Sequence, residues 1–421
     1  MRLKNFHHVI KAFSKAILNR DLKLLKVLVL KSLLELYAFI FAPFFLLPYI
    51  IIRLIAKIYL VRFGILISER IGHLAANTDL YISKTNAKIN LPTVKYKDLW
   101  TYTYPVSNKQ LLKMFKERII ILSPLLVKPF LLLNKVFPGG KKHNIENDSD
   151  RDLYNFWENK SPNICLTQKE EAKGKEEIEK IGLPHGAKFI CLVVRDSAYL
   201  KTFLPWNDWS YHDFRDSDIK NFIPAIEELT KLGYYVVRMG RICNEKIASN
   251  NPKIIDYAFC EHKSDFLDIY LASKCTFCIT NCTGFDAVPT IFRKPICSVD
   301  LIPVSEVLSS SSQFLSIFSL LYSHQHRRIL KMSEMTRAEY QLSKGFAYKN
   351  LGLEVVKNSK EEIKDVVLEM ERRVSKIWFE KDANKKLQEI AWSYINSSSH
   401  GKLKIGHFGA KFLEKHTKLI S

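Results

Sequence analysis

Between residues 189 and 299, short apolar runs alternate with helical segments. This alternation constrains the chain more than any other feature. Residues 189–194 (F-I-C-L-V-V), 234–239, 254–255, 276–280 and 296–299 read as strands. Residues 219–232, 266–273 and 286–292 read as helices, the first of them stopped by Gly233. Strands so short, and apolar along their whole length, are buried on both faces. Helices between them make the strands run parallel. The expected fold class is α/β, and ligands of such sheets bind outside the carboxyl ends of the strands.

Four chemically distinctive groups fall at those ends. Arg195-Asp196 follows F-I-C-L-V-V, and Arg238-Met239-Gly240 follows Y-Y-V-V. Asp256-Tyr257 follows I-I, and Asn281-Cys282-Thr283-Gly284 follows F-C-I-T. Guanidinium groups grip phosphate oxygens in pairs, and a helix opening offers unpaired N–H groups. Two arginines, a turn glycine and a hydroxyl-glycine loop that opens a helix therefore suit an anionic ligand. The alternative is that each arginine pairs with Asp196 or Asp256 at the sheet edge. His212 and Arg215, in S-Y-H-D-F-R-D, lie on the loop after the Arg195 strand. They either close over a ligand or solvate a surface loop.

Outside this region the pattern is less regular. V-R-F-G-I-L-I begins a second α/β segment near residue 61, and S-E-R-I-G-H-L-A continues it as a loop opening a helix. I-I-I-L-S-P-L-L-V-K-P-F-L-L-L (residues 119–133) reads as core rather than as a second membrane-facing patch, because Lys128 and prolines interrupt it. Residues 138–152 form a polar connector. Thr167 with Glu170 is a capping box ahead of the next helix. From about residue 333 the chain reads as helical and charged.

The first sixty residues are of another kind. Phe6, Val9, Ile10, Phe13 and Ile17 share one helical face while Lys4, Lys11 and Lys15 lie elsewhere, as in basic helices of lipid interfaces. Residues 36–52 carry no charge, a length at the short end of what spans a bilayer. Pro43 and Pro48 interrupt the run, and basic residues flank both ends. A re-entrant or interfacial segment is expected, against the alternative of a buried helical hairpin. The net charge of +21 calls for an anionic partner. Much of its excess adjoins the apolar run, which points to an acidic membrane surface rather than nucleic acid.

No metal is expected. Cys275, Cys278 and Cys282 form C-x2-C-x3-C, but lie in or beside an apolar strand and read as buried thiols of a reducing compartment. Asp216-Ser217-Asp218 has the D-x-D pattern, yet its position suits a helix cap.

Several segments together resemble a known family. C-L-V-V-R-D-S-A-Y, Y-H-D-F-R-D-S-D-I, V-V-R-M-G, I-I-D-Y-A, K-S-D-F-L-D-I-Y-L-A and C-T-F-C-I-T-N-C-T-G-F-D-A-V-P are similar to bacterial glycosyltransferases of surface-polysaccharide gene clusters. The likeness extends back through P-G-G-K-K-H to I-S-E-R-I-G-H-L-A. V-V-R-D is also similar to the strand-plus-arginine motif of fucosyltransferases, where the arginine holds the donor diphosphate. Val194 departs from that motif, so the donor sugar does not carry over.

The resemblance implies a GT-B architecture of two Rossmann-like domains. It divides the chain into a membrane-associated segment (1–60), an acceptor domain (61–165), a donor-nucleotide domain (166–330) and a helical C-terminal region (331–421). It implies a metal-independent, inverting, hexosyltransferase-like enzyme with a nucleotide-sugar as co-substrate and no other cofactor. The acceptor it implies is a glycan or polyprenyl-linked sugar at the cytoplasmic face of the plasma membrane. The expected donor-binding residues are Arg195, Asp196, Tyr199, Arg215, Arg238, Gly240, Asp256, Tyr257, Thr283 and Gly284. His73, in I-G-H-L-A, is the expected base toward the acceptor, the alternative being a capping or core histidine. Pyruvyl or phosphoryl transfer on the same scaffold, or a non-catalytic membrane assembly role, are the competing functions.

Overall fold

The computed structural model describes residues 14, 17, 22–146, 151–203, 209–341, 345–395 and 403–420. Among these, Ile17 is helical and 65% exposed. The expectation for Phe6, Val9, Ile10 and Phe13 lies outside the described residues. The described residues divide into two compact units, one drawn from residues 1–150 and the other from 151–421.

The first unit opens with helices α1 (Leu22–Phe41) and α2 (Leu46–Leu54), joined by a 3-10 turn at Ala42–Phe45 that contains Pro43. β1 (Tyr59–Leu66), α3 (Ile71–Asn86) and β2 (Lys95–Tyr102) then form a parallel βαβ unit. Arg62 and Asp98 face each other across the two strands, with Nε and Nη2 donating to the carboxylate at 2.8 and 2.7 Å. Single bridges from Phe63 to Asn144 and from Trp100 to Ile121 extend the sheet on both sides. α4 (Lys109–Lys116) and α5 (Pro124–Val136) complete the unit. Phe130 of α5 stacks on Phe63 at 4.6 Å, while Leu125, Leu126 and Val136 are exposed. The helix expected as core is therefore buried on one side only.

The second unit begins earlier than the expected boundary at residue 166. Asn155 donates its side-chain amide to the carbonyls of Ser310 and Leu403, and the Glu158 carboxylate accepts from Ser311 and Ser312. These bonds tie residues 151–165 to the second unit. α6 (Gln168–Lys180) carries the capping box of Thr167 and Glu170. There follow β3 (Phe189–Val193), α7 (Ala198–Phe203), α8 (Ile223–Lys231), β4 (Tyr235–Arg238) and β5 (Ile254–Ile255). Next come α9 (Asp265–Lys274), β6 (Cys278–Thr280), α10 (Ala287–Ile291), β7 (Ile296–Leu301) and β8 (Phe314–Phe318).

With β12 (His407–Phe408) these strands make one sheet in the order β12-β8-β7-β6-β3-β4-β5, parallel throughout. Without β12 the chain order is 3-2-1-4-5-6, that of doubly wound nucleotide-binding folds. A smaller antiparallel sheet holds β9 (Leu320–Ser323), β10 (Arg328–Ile329) and β11 (Leu353–Val356). The core of the large sheet packs Ile190, Leu192, Val236 and Ile279 with Ile226 and Leu229 of α8. Ile363, Val366 and Val367 of α11 (Lys360–Val374) join the same core.

Residues 331–421 are not a separate helical region. They contribute β11 and the edge strand β12, and α11 packs against β7 and β8. β12 is two residues long, too short to show periodicity, and only its pairing with β8 defines it.

Candidate functional site

Strand order reverses between β3 and β6, and the crevice at such a point is where doubly wound sheets take their ligands. One side chain joins the two strand ends. Asn281, 1% exposed, accepts the Arg195 backbone N–H at 2.7 Å through Oδ1. Its Nδ2 donates to the Arg215 carbonyl at 3.0 Å and to Ser217 Oγ at 2.9 Å.

The network continues along the sheet. Ser217 Oγ donates to Asp300 at 2.6 Å, at the carboxyl end of β7. Asp300 and Asn358 exchange backbone-to-side-chain bonds at 2.6 and 2.7 Å. Asp300 has φ +51° and Cys282 φ +59°, left-handed backbone that non-glycine residues seldom adopt. Bonds to Ser217 and Asn358 hold Asp300 in place, as at many binding sites. Lys357 donates to the Phe214 carbonyl at 2.8 Å.

Arg195, Arg215 and Lys357 share this edge with Asp216 and Asp300. Arg195 Nε donates to Asp216 at 3.0 Å, and among the described residues its other guanidinium nitrogens make no hydrogen bond. Burial pushes the Asp216 carboxyl up to about 6, with Arg195 opposing. Burial lowers the Arg215 guanidinium, and repulsion from nearby Arg195 and Arg151 adds to this. Arg215 Nε is buried without a hydrogen-bond partner. Burial likewise lowers the Lys357 ammonium, against the attraction of Asp300 and Asp216. Three cations, each short of partners or partly desolvated, form an arrangement that an anion would stabilise.

The Thr283 loop lies on the same edge. Thr283 Oγ1 accepts the Phe285 N–H at 3.2 Å and caps the 3-10 turn Gly284–Asp286 that leads into α10. Asp196 is structural at both oxygens: Oδ1 accepts Ala198 N–H at 2.9 Å and Oδ2 accepts Asn244 N–H at 2.8 Å. Tyr199 stacks on Phe203 at 5.1 Å, and burial pushes its phenol up to about 12.

Four more of the expected donor-binding residues have their contacts within the second unit's own sheet and loops. Arg238 is 2% exposed; it donates to the Glu245 carbonyl at 2.5 Å and sits 3.5 Å from Asp256. Asp256 accepts Ile247 N–H at 2.8 Å. Tyr257 is fully buried and donates to Asp268 at 2.9 Å. Gly240 packs so that a Cβ there would lie 2.6 Å from Cys243 Sγ. For Arg238 and Asp256 the pairing alternative describes the geometry, because a strand-terminal side chain that points into the sheet finds its partner there. Ser217, Asp300, Lys357 and Asn358 were not expected at the site. Asp300 follows the apolar run I-C-S-V as Arg195 follows its own strand, and that signal would have found it.

In the first unit, His73 stands in the first turn of α3 rather than on the preceding loop. Its Nδ1 lies 3.2 Å from Asn77 Oδ1, one helical turn on. The turn after β1 is fixed by Ser68, whose N–H donates to Thr103 Oγ1 at 3.0 Å and whose Oγ donates to the Thr103 carbonyl at 2.6 Å.

Cys275 ends α9 rather than entering β6, and Cys191, Cys275 and Cys278 are fully buried together. The two aspartates of the D-x-D segment separate: Asp216 meets Arg195, and Asp218 accepts Lys220 N–H at 2.9 Å as a cap.

No protein-family model matches the chain, and no curated protein matches it. Among solved structures, the ADP-heptose LPS heptosyltransferase II of E. coli is 10% identical, with a TM-score of 0.38 over 61% of this chain and 90% of its own. A glycosyl transferase of family 9 from Veillonella parvula DSM 2008 is 9% identical, with a TM-score of 0.37 over 73% and 97%. The dodecameric iron-containing heptosyltransferase TibC, solved with ADP-D-beta-D-heptose, is 11% identical, with a TM-score of 0.33 over 75% and 77%. All three are partial likenesses at low identity.

Proposed function

We propose that this protein is a membrane-attached glycosyltransferase that moves a sugar from a nucleotide-sugar donor to a lipid-linked or surface-polysaccharide acceptor. The observation that carries the reading is the gathering of Arg195, Arg215 and Lys357 where the order of a doubly wound sheet reverses. Such a crevice suits a nucleoside diphosphate. The motifs that resemble bacterial glycosyltransferases, I-G-H-L-A in one unit and V-V-R-D in the other, support sugar as the transferred group and a GT-B arrangement.

In this reading the diphosphate of the donor meets Arg195, Arg215 and the Thr283-Gly284 loop. Departure of the nucleoside diphosphate builds negative charge, and preorganised cations stabilise it without a required divalent metal. His73 takes the proton of the acceptor hydroxyl as that oxygen attacks the anomeric carbon, with inversion. The apolar N-terminal segment holds the enzyme at the cytoplasmic face of the plasma membrane, where nucleotide-sugars meet polyprenyl-linked acceptors.

A panel of nucleotide-sugars incubated with the full chain and a polyprenyl-linked acceptor tests this. One donor should give a glycosylated product, in chelator as in Mg²⁺, and His73→Gln should abolish turnover while donor affinity stays within about twofold. Turnover by His73→Gln near the normal rate would remove the histidine as base. Transfer of pyruvyl or phosphoryl groups but no sugar, or no thermal stabilisation by any nucleoside diphosphate, would overturn the function.

A further inference from the structure

From residue 22 to 57 the chain follows one helical path: α1, the turn at Ala42–Phe45, α2 and a second 3-10 turn at Ile55–Lys57. The stretch Leu24–Lys57 is long and apolar enough to cross a membrane, and only 17% of its most apolar window is buried. Two bonds nevertheless tie the path to its own unit at widely separated points. Lys31 Nζ lies 2.6 Å from Glu69, in the turn after β1. Arg53 Nη2 donates to the Pro138 carbonyl at 2.6 Å, just beyond α5. Between them Lys128 of α5 pairs with Glu35, Phe45 meets Phe130 edge-on at 5.2 Å, and Leu34, Ala38 and Tyr49 are buried.

Twenty-two residues of helix rise about 33 Å, and a bilayer core is about 30 Å thick. A path that crossed would put Glu69 and Pro138 on opposite sides of the membrane. Both belong to one compact unit, in which Phe63 and Trp100 of the same sheet hold the segments on either side of α5. The path therefore lies along its unit.

Its outer face is apolar and open: Leu36, Phe39, Phe44, Leu47 and Leu54 are 52 to 76% exposed. α5, which packs beside α1, adds Leu125, Leu126 and Val136 at 43, 51 and 65%. Contiguous apolar area of this kind marks an interaction surface. Charge chooses the partner. Exposed Lys57, Lys135, Lys141 and Lys142 lie on these helices or just beyond them, and residues 22–140 hold seventeen Lys and Arg against five Asp and Glu. An anionic lipid surface satisfies both the apolar face and its basic surroundings.

We infer that α1, α2 and α5 form a single monotopic face that enters one leaflet of an anionic phospholipid bilayer and does not cross it. This deepens the membrane attachment proposed above. Its readout is lipid binding, which is separate from sugar transfer.

Flotation of the full chain with phosphatidylcholine vesicles, with and without phosphatidylglycerol, tests the face. Binding should require the anionic lipid. The double variant Leu125→Glu/Leu126→Glu should bind at least about tenfold more weakly, whereas Leu125→Trp/Leu126→Trp should still float, which separates lost apolarity from lost folding. Wild-type flotation by the glutamate variant would overturn the role of α5. So would a dimer in detergent-free solution that the same variant abolishes while flotation is unchanged, since a second copy would then cover the face. Lys26→Cys and Lys57→Cys, labelled with a membrane-impermeant maleimide in sealed inverted vesicles, should react from the same side once labelling of the unmodified chain is subtracted. Labelling from opposite sides would establish a crossing and overturn the inference. A chain that floats but transfers no sugar removes the proposed reaction and leaves this face standing. One that transfers sugar in detergent yet never floats removes the face alone.

Discussion

The carboxamide of Asn281, at the end of β6, accepts the backbone N–H of Arg195, at the end of β3, at 2.7 Å. These residues stand 86 positions apart and close the crevice where the sheet reverses its order. The same carboxamide holds the Arg215 carbonyl and the Ser217 hydroxyl, so one buried side chain sets the position of both arginine-bearing loops.

Asn281→Ala removes an acceptor and two donors from a buried site. The Arg195 N–H is then left without its partner, and the expected loss of stability is about 2 kcal/mol. Urea unfolding measures it. Affinity for a nucleoside diphosphate should fall as well, because Arg195 and Arg215 lose their common anchor.

Arg195 and Arg238 should respond in opposite ways. Arg238 is buried against Asp256, and Arg238→Ala strands that carboxylate, at a cost of about 3 kcal/mol in stability. Arg195 keeps guanidinium nitrogens available, and Arg195→Ala should weaken nucleotide-sugar binding about tenfold, equal to about 1.4 kcal/mol, with the smaller change in stability. Melting temperatures and calorimetric titration of the two variants side by side give the comparison. Equal losses of binding would return Arg238 to the site.

The Asp216 carboxyl titrates near pH 6 because burial disfavours its charge. Its folded pKa lies above the unfolded value of 3.8, so the folded state holds the proton more tightly. The stabilisation is complete below about pH 4 and is lost as pH rises through about 6. Solvent screening keeps it to at most about 2 kcal/mol. Below pH 6 Arg195 also loses its counter-ion. Affinity for a nucleotide-sugar, whose diphosphate does not titrate in this range, should therefore rise several-fold from pH 7.5 to 5. Asp216→Asn should flatten the profile, and an unchanged slope in that variant would assign the effect to another group.

Gly174 offers a test in which packing opposes propensity. It lies inside α6, where alanine would normally favour the helix by about 1 kcal/mol. A Cβ there would meet the Tyr270 ring of α9 at 1.9 Å. Gly174→Ala should therefore destabilise the second unit by about 1 to 3 kcal/mol. A gain in melting temperature would show that Tyr270 moves aside freely.

The four principal strands β3, β4, β6 and β7 were legible because a parallel sheet buries both faces of each strand. The run F-I-C-L-V leaves no polar residue to explain, and all five of its residues are buried. The strand-end logic also located Arg195 and the Asn281 loop without knowledge of strand order. β8 and β9 are apolar as well, but F-L-S-I-F and L-L-Y-S are separated by one residue and give no helical spacer to announce them.

The sequence by itself determined that this chain holds a parallel α/β sheet and, ahead of it, an apolar run in basic surroundings, because composition and periodicity are local properties. Only the tertiary structure decided what each polar side chain does. Arg195 and Arg238 both follow apolar runs, yet one remains at the crevice and the other is buried against Asp256. Lys357, Asp300 and Ser217 converge from segments as far apart as 140 residues. The direction of a strand-end side chain depends on which strands flank it, and that order is set by long-range pairing that no local pattern records.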